Sequence, residues 1–293
     1  MKQFFFITGL ILCALVVVMG YQYARFYDGK LHVNFCDVGQ GDAILIVTPN
    51  NKHILNDGGP DQKVMDCLAR HLPFWERTID LLILTHPHAD HFFGMFDILQ
   101  RYRVKSFATE DLQNKTQSFQ ELIKLLNTDH VPQRRVLAGD SWILQQSSGQ
   151  DVALNVVGPT AEYLHETSPG GTIGESKEFA SVVTKLSYGS FHVLLTGDSQ
   201  ASGLENALDD INDHLTVLQS PHHGSGTGLN DNVLTALAPK IAVISVGVNK
   251  YGHPSPVTLN LYNSHDIPYY RTDQKGDVGI ISDGKTWKVK SLK

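Results

Sequence analysis

The pattern of apolar and polar positions divides the chain near residue 27. From Gln3 to Ala24 no side chain is charged, and the run FFFITGLILCALVVVMG is almost wholly apolar. As a helix this stretch spans about 33 Å, close to the hydrocarbon thickness of a bilayer. Its length favours an uncleaved membrane anchor over a signal segment, whose apolar core is shorter. Val18-Met19-Gly20, small at its last position, keeps cleavage and secretion open as the alternative. A lipid anchor at Cys13 is excluded, because Ile11-Leu12 ahead of it lack the small residue such processing needs. Lys2 on one side and Arg25, Asp28 and Lys30 on the other give the positive-inside rule little to decide. Placement at the extreme N-terminus predicts that the following domain lies outside the cytoplasm.

Residues 28–293 follow a different pattern. LHVNFCDVG and DAILIVT predict two strands joined by a turn at Gly39-Gln40-Gly41, and KHILNDGG a third, antiparallel strand ending in a diglycine turn. Val64 to Phe74 has helical spacing, broken at Pro73, and TIDLLILTH is the continuous apolar run of a strand covered on both faces. FFGMFDILQRY then predicts a helix, Phe119 to Leu126 another, and Val152 to Val157 a strand. Residues 160–178, rich in Gly, Ser, Thr and Glu, predict an exposed loop. SVVTKLSYGSFHVLLTGD predicts a hairpin turning at Tyr188-Gly189-Ser190; LTVLQSPHHG and IAVISVGV are strands separated by a helix from Asn230 to Leu237. VGIISDGKTWKVK closes as a hairpin at Asp283-Gly284. The order is that of a mixed α/β domain, with 1–27 as the anchor or signal segment.

Composition narrows the picture in two ways. A net charge of −6 over 293 residues excludes a generally basic, nucleic-acid-coating surface, though not a local cationic groove. Cys36 and Cys67, the two cysteines beyond the apolar segment, leave room for one disulfide but no disulfide framework, so the domain depends on an apolar core.

The chemistry is concentrated in Thr85-His86-Pro87-His88-Ala89-Asp90-His91. Four potential ligands just after an apolar strand suit a metal better than a packed core. His86 and His88, two apart in extended chain, can aim at one ion, and Asp90 and His91, where the chain turns into a helix, at a second. Two further ligands end apolar strands: Asp198 in LLTGD, able to bridge two ions, and a histidine of SPHHGS. His222 is preferred to His223 as that ligand, leaving the other to bind substrate or donate a proton.

The stretches DVGQGDAILI, LNDGG, LTHPHADH, LLTGD, PHHGS, YGHPSP and RTDQKGDVGIISDG, in that order, resemble the metallo-β-lactamase-like domain of the ComEC competence proteins over about residues 30 to 290. The resemblance implies a four-layer αβ/βα sandwich and a hydrolytic site built by His86, His88, Asp90, His91, Asp198 and His222. It places Asp42, Asp57 and His253 nearby as outer-layer or substrate-facing groups. Two departures stand out. Where many relatives have another histidine ahead of the bridging aspartate, and ComEC proteins an Asn-Asn-x-Ser stretch, this chain has Glu178-Phe179-Ala180-Ser181, and the context of His165 matches no motif. The first ion is then left with His86, His88 and Asp198. ComEC proteins also carry a multi-helix channel, whereas this chain has one apolar segment, so any DNA-uptake channel would be a separate protein.

These residues predict a hydrolase using two divalent ions, Zn²⁺ or Mn²⁺, to make hydroxide available near neutral pH. Asp90 orients the water or takes its proton, Asp42 or Asp57 fixes a ligand histidine through its second ring nitrogen, and His253 protonates the leaving oxygen. The resemblance implies a phosphodiester substrate, single-stranded DNA first. Arg134, Arg135, Lys285, Lys288, Lys290 and Lys293 are candidate phosphate contacts, and no aromatic stacking platform is evident in the sequence. A small ester, lactone, lactam or cell-envelope phosphodiester is the alternative substrate, and a non-catalytic, metal-stabilised binding module the alternative class.

Overall fold

A computed structural model describes residues 2–146, 150–175, 180–211 and 214–291. The apolar run forms one exposed helix, α1 (Lys2–Phe26), which among the described residues is the one helix long and apolar enough to cross a membrane. Strands β1 (Leu31–Phe35), β2 (Ile44–Val47) and β3 (His53–Asn56) follow as an antiparallel meander. After α2 (Lys63–His71) and the short β4 (Thr78–Ile79), β5 (Leu81–Leu84) lies parallel to β3. Helices α3 (Ala89–Phe92) and α4 (Met95–Arg101) lead through β6 (Arg103–Val104), the partner of β4, to β7 (Phe107–Thr109). Helix α5 (Gln117–Thr128) then precedes β8 (Gln133–Arg135).

The second half opens with β9 (Ser141–Gln145), β10 (Val152–Gly158), α6 (Ala161–Thr167), β11 (Val183–Tyr188) and β12 (Phe191–Leu195). Its parallel part alternates α7 (Ala201–Ile211), β13 (Val217–Gln219), α8 (Asp231–Leu237), β14 (Ile241–Ile244), α9 (Pro256–Ser264) and β15 (Tyr269–Arg271). Helix α10 (Thr272–Lys275) returns the chain to β16 (Val278–Ser282) and β17 (Trp287–Ser291). The strand orders are β17-β16-β1-β2-β3-β5-β7-β8 in one sheet and β15-β14-β13-β12-β11-β10-β9 in the other.

The period of two along each strand produces the layering. In β1, β2 and β5, Leu31, Val33, Phe35, Ile44, Ile46, Leu81 and Ile83 face Leu154, Val193, Leu195 and Val243 of the other sheet across one core. The alternate residues Leu45, Val47, Leu82 and Leu84 pack outward on α2, α4 and α5. Leu194, Leu218, Ala242 and Ile244 do the same on α7, α8 and α9. Helix, sheet, sheet and helix thus form the expected four-layer sandwich.

Two expectations are corrected. Residues 160–178 are not one loop: Thr160 caps α6 by accepting a hydrogen bond from the Tyr163 amide at 3.1 Å, and Tyr163 and Thr167 are buried. Residues 176–178 lie outside the described residues. FFGMFDILQRY is not one helix either. A Cβ at Gly94 would collide with the Gly58 carbonyl oxygen, so the chain is pinned to the diglycine turn there, between α3 and α4.

Helix α2 is tied to the sheet by the Cys36–Cys67 disulfide and by buried Asp277. Asp277 accepts from Arg70 Nε at 2.7 Å, from His71 Nε2 at 2.9 Å and from the Asp37 amide at 2.8 Å. The disulfide closes a 31-residue separation, which in the chain-entropy model contributes about 3–4 kcal/mol. Replacing both cysteines by alanine should lower the unfolding free energy of the full chain by about 3 kcal/mol in denaturant titration, with no further loss on adding reductant. An unchanged midpoint would contradict the bridge.

Candidate metal site

The candidate site residues lie at one edge of the sandwich. Asp57 follows β3, Thr85 to His91 follow β5, Asp198 follows β12, His222 and His223 follow β13, and Ser245 follows β14. Within its sheet β3 runs parallel to β5, and β12 to β13 and β14, so their carboxyl ends, where ligands collect in open α/β sheets, open on the same side. Asp42, just ahead of antiparallel β2, reaches that edge from the opposite direction. Gly41 makes its turn possible, since its φ of 143° disfavours side chains and a Cβ there would collide with the Asp90 carbonyl oxygen.

Two groups of donors form, sharing Asp198. Asp42, His91, Asp198 and His223 offer atoms within 4.8 Å of one another, as do His86, His88 and Asp198. In the first group Asp42 Oδ1, His91 Nε2, Asp198 Oδ1 and His223 Nε2 are buried without a hydrogen bond. Asp198 Oδ1 lies 3.3 Å from His91 Nε2 and 3.4 Å from His223 Nε2. Four buried, unsatisfied N and O atoms facing one another cost heavily unless a cation joins them, and imidazole with carboxylate is the donor set of Zn²⁺ or Mn²⁺. The residues fit the metal.

Partners on the far side aim each ring. His91 Nδ1 donates to Asp57 Oδ2 at 2.9 Å, and Asp57 itself accepts from the Thr85 amide and hydroxyl, each at 2.8 Å. His223 Nδ1 donates to the Ser245 carbonyl at 3.0 Å. Gln219 Nε2 donates to Asp42 Oδ2 at 2.7 Å, while its Oε1 accepts from the Thr196 amide at 2.8 Å. Gln219, Thr85 and Ser245 escape sequence reasoning; the signal was a polar residue ending an apolar strand. Asp57, His222 and His223 have positive φ of 63°, 50° and 56°, strain of the sort stored where side chains must be aimed.

Several predicted residues sit differently from expectation. The positive-φ turn carries His223 rather than the preferred His222 into the buried four-residue group. His222 lies on its more open side, Nε2 3.5 Å from Asp198 Oδ2. Asp42, expected in the outer layer, contributes a donor to that group. Asp90 stays at its rim, partly exposed, with Oδ2 3.6 Å from His223 Nε2. His253 packs edge-on to His222, ring centroids 5.4 Å apart. His222 Nε2 approaches the same Asp198 Oδ2 that His86 Nε2 faces at 3.6 Å, so it stands beside the His86, His88 and Asp198 group; His165 lies in α6, and Glu178 and Phe179 fall outside the described residues. The candidate phosphate contacts Arg134 and Arg135 are paired with Asp140 and Asp111, and Lys288 and Lys290 lie on edge strand β17. Lys293 is outside the described residues.

Charge is divided within the site. Burial, then the His91 charge, holds His86 well below the ordinary histidine range, and burial lowers His88 and His222, so these rings are neutral. Burial opposes the charge on His223, but Asp198 and Asp42 outweigh it and raise that ring to about 9. His91 is likewise held well above its usual value, against burial, by Asp198 and Asp57. Burial pushes Asp42 up to about 6. Burial opposes ionisation of Asp198 too, but His223 and His91 keep it well below the usual carboxylate range.

A model of the Metallo-beta-lactamase superfamily matches residues 36–248, more than half of the chain. The chain belongs to that superfamily and is a metal-dependent hydrolase. It is 26% identical over 297 residues to ComE operon protein 3 of Bacillus subtilis, covering 93% of this chain and 35% of the relative. It is 28% identical over 243 residues to Recombination protein 2 of Haemophilus influenzae, covering 82% and 27%. The chain thus spans about a third or less of the length of these curated relatives, and they bear out the ComEC-type resemblance. Among solved structures, the metallo-β-lactamase fold protein YhfI from Bacillus subtilis matches with a TM-score of 0.53 at 12% identity, over 84% of this chain and 98% of that one. Igni18, a metallo hydrolase from Ignicoccus hospitalis, matches with 0.52 at 14%, over 85% and 98%. At such identities these two structures define the fold alone.

The raised histidines make a prediction with a definite sign. Without metal, His91 and His223 hold protons on Nε2 at pH 7, and ligation must displace them. Zn²⁺ or Mn²⁺ uptake at pH 7 should release about one to two protons per chain, and affinity should weaken as pH falls. Isothermal titration in buffers of different ionisation enthalpy measures this; a heat independent of buffer would contradict it.

Proposed function

We infer that the chain is a phosphodiesterase acting on single-stranded DNA at the outer face of a membrane. The observation that carries this reading is the pair of donor groups sharing buried Asp198, with the ComEC-type resemblance directing it toward DNA. In this reading Asp42, His91, Asp198 and His223 hold one divalent ion, and His86, His88 and Asp198 a second. When bound, such ions supply Lewis acidity and make hydroxide available near neutral pH.

The chain's own residues supply the rest. Asp57 and the Ser245 carbonyl hold the His91 and His223 rings in one tautomer, with Nε2 inward. Gln219 leaves Asp42 one oxygen for the site. Asp90 is kept ionised against burial by His223 and His91, which suits it to orient the attacking water by accepting a hydrogen bond from it. Burial, then the neighbouring His222 and His223, lowers His253, so it meets the leaving oxygen as a neutral hydrogen-bond donor. Full proton transfer from it requires the charge of a bound phosphate to raise its pKa.

An anchored domain outside the cytoplasm is supported by exposed, apolar α1 and by the Cys36–Cys67 disulfide, a bond of oxidising compartments. Residues 1–27 then serve as the anchor and 28–293 as the catalytic domain.

The full chain in detergent, stripped of metal and given Mn²⁺ or Zn²⁺, should cleave single-stranded DNA, and Asp90→Ala should slow cleavage by about 100-fold or more. Metal-loaded wild type that cleaves neither single- nor double-stranded DNA would contradict the reading and redirect it to a small ester or envelope phosphodiester.

A further inference from the structure

A cavity of about 750 Å³ opens beside the four-residue donor group. Its lining includes Asp90, Phe93, Val248, Asn249, Lys250 and Tyr251. Asp90 belongs to both places, since its Oδ2 lies 3.6 Å from His223 Nε2. Anything seated in the cavity is one side chain away from the donor group.

The surface chemistry of this cavity is unlike the rest of the domain. Outside α1, the large hydrophobic side chains well exposed among the described residues are Phe74, Phe93, Ile143, Val248, Tyr251 and Val257, and three of the six line this one cavity. Apolar surface gathered beside a reactive site marks a place where a ligand covers it. The loop presenting it is also braced. Asn249 Nδ2 donates to the carbonyls of Gly247 and His253 at 2.9 and 2.7 Å, and its Oδ1 accepts from the Tyr251 and His253 amides at 3.0 and 3.1 Å. Phe93, from another part of the lining, is fixed as well, because it sits at the junction that Gly94 pins to the diglycine turn. Lys250 Nζ lies 5.8 Å from the centre of the Tyr251 ring, so a cation and an exposed aromatic share the rim.

We propose that Phe93 and Tyr251 form a stacking subsite for an unpaired nucleobase next to the phosphodiester held at the donor group, with Lys250 facing a neighbouring phosphate. The proposal rests on the phosphodiesterase reading and names what that site recognises besides phosphate. Aromatic faces with a cation match the alternation of base and phosphate in a single strand. An acyl or lactone group would use the apolar wall and leave the cation without a role. Every base has a π-face, so the subsite selects unpaired over paired bases and is tolerant of sequence. The two rings come from positions far apart in the chain, and only the fold gathers them into the platform that the sequence does not display.

The test uses the full chain in detergent micelles with two phosphorothioate oligonucleotides of equal length, which resist cleavage. One carries bases, including a 2-aminopurine; the other has abasic sugars throughout. Wild type should bind the first more tightly and quench its 2-aminopurine emission. Tyr251→Ala and Phe93→Ala should each weaken that binding about 5- to 100-fold and restore emission, leaving the abasic strand within about twofold. Tyr251→Phe should behave as wild type. Variants that bind both strands as wild type does, or weaken both equally, would overturn the stacking subsite while leaving the phosphodiesterase reading to its cleavage assay. Wild type that binds neither strand would overturn both.

Discussion

Asp198 is the constraint on which the rest of the site depends. Its carboxylate is almost wholly buried, with Oδ1 3.3 and 3.4 Å from His91 and His223 and Oδ2 3.6 and 3.5 Å from His86 and His222. A carboxylate so removed from water is tolerable only if positive charge stands beside it. Without metal, protons on His91 and His223 provide that charge. Divalent ions provide it better, because they also satisfy the ring nitrogens and the Asp42 oxygen that make no hydrogen bond.

The fold exists around that requirement. Two sheets pack face to face, and the ends of β3, β5, β12, β13 and β14 deliver side chains to one edge. The chain approaches itself there closely enough that glycine is needed at Gly41 and Gly94. Short loops at strand ends are the cheapest way to aim several side chains at one point, since the sheets behind them hold position. The cost appears as positive φ at Asp57, His222 and His223, which the surrounding hydrogen bonds sustain.

Much of this architecture is written in local pattern. AILIV alternates between two cores, LHVNF presents Leu31, Val33 and Phe35 to one of them, and LLIL is apolar on both faces because both faces are covered. The His-x-His-x-Asp-His cluster, LLTGD and PHHGS are legible because ligand types stand at strand ends. What local pattern does not carry is direction. Nothing in Pro-His-His-Gly states which imidazole turns inward; that follows from the two left-handed residues and the Ser245 carbonyl. Nothing in Gly-Gln-Gly-Asp states that Asp42 meets residues 177 positions away, where Gln219 holds it. Helix α6 was hidden by its flanking Gly, Ser and Thr, which mark a loop by composition while Thr160 caps a helix. Helices α7 and α9 are short and take their stability from packing on the second sheet.

One carboxylate, Asp198, serves two donor groups. Elemental analysis of the full chain, wild type against Asp198→Asn, after equilibration with Zn²⁺ or Mn²⁺, measures this directly, with circular dichroism to verify that the variant is folded. Two ions per wild-type chain and fewer than about one in the folded variant is the predicted result, since removing the shared ligand weakens both sites at once. A folded Asp198→Asn that retains the full wild-type complement of metal would contradict it.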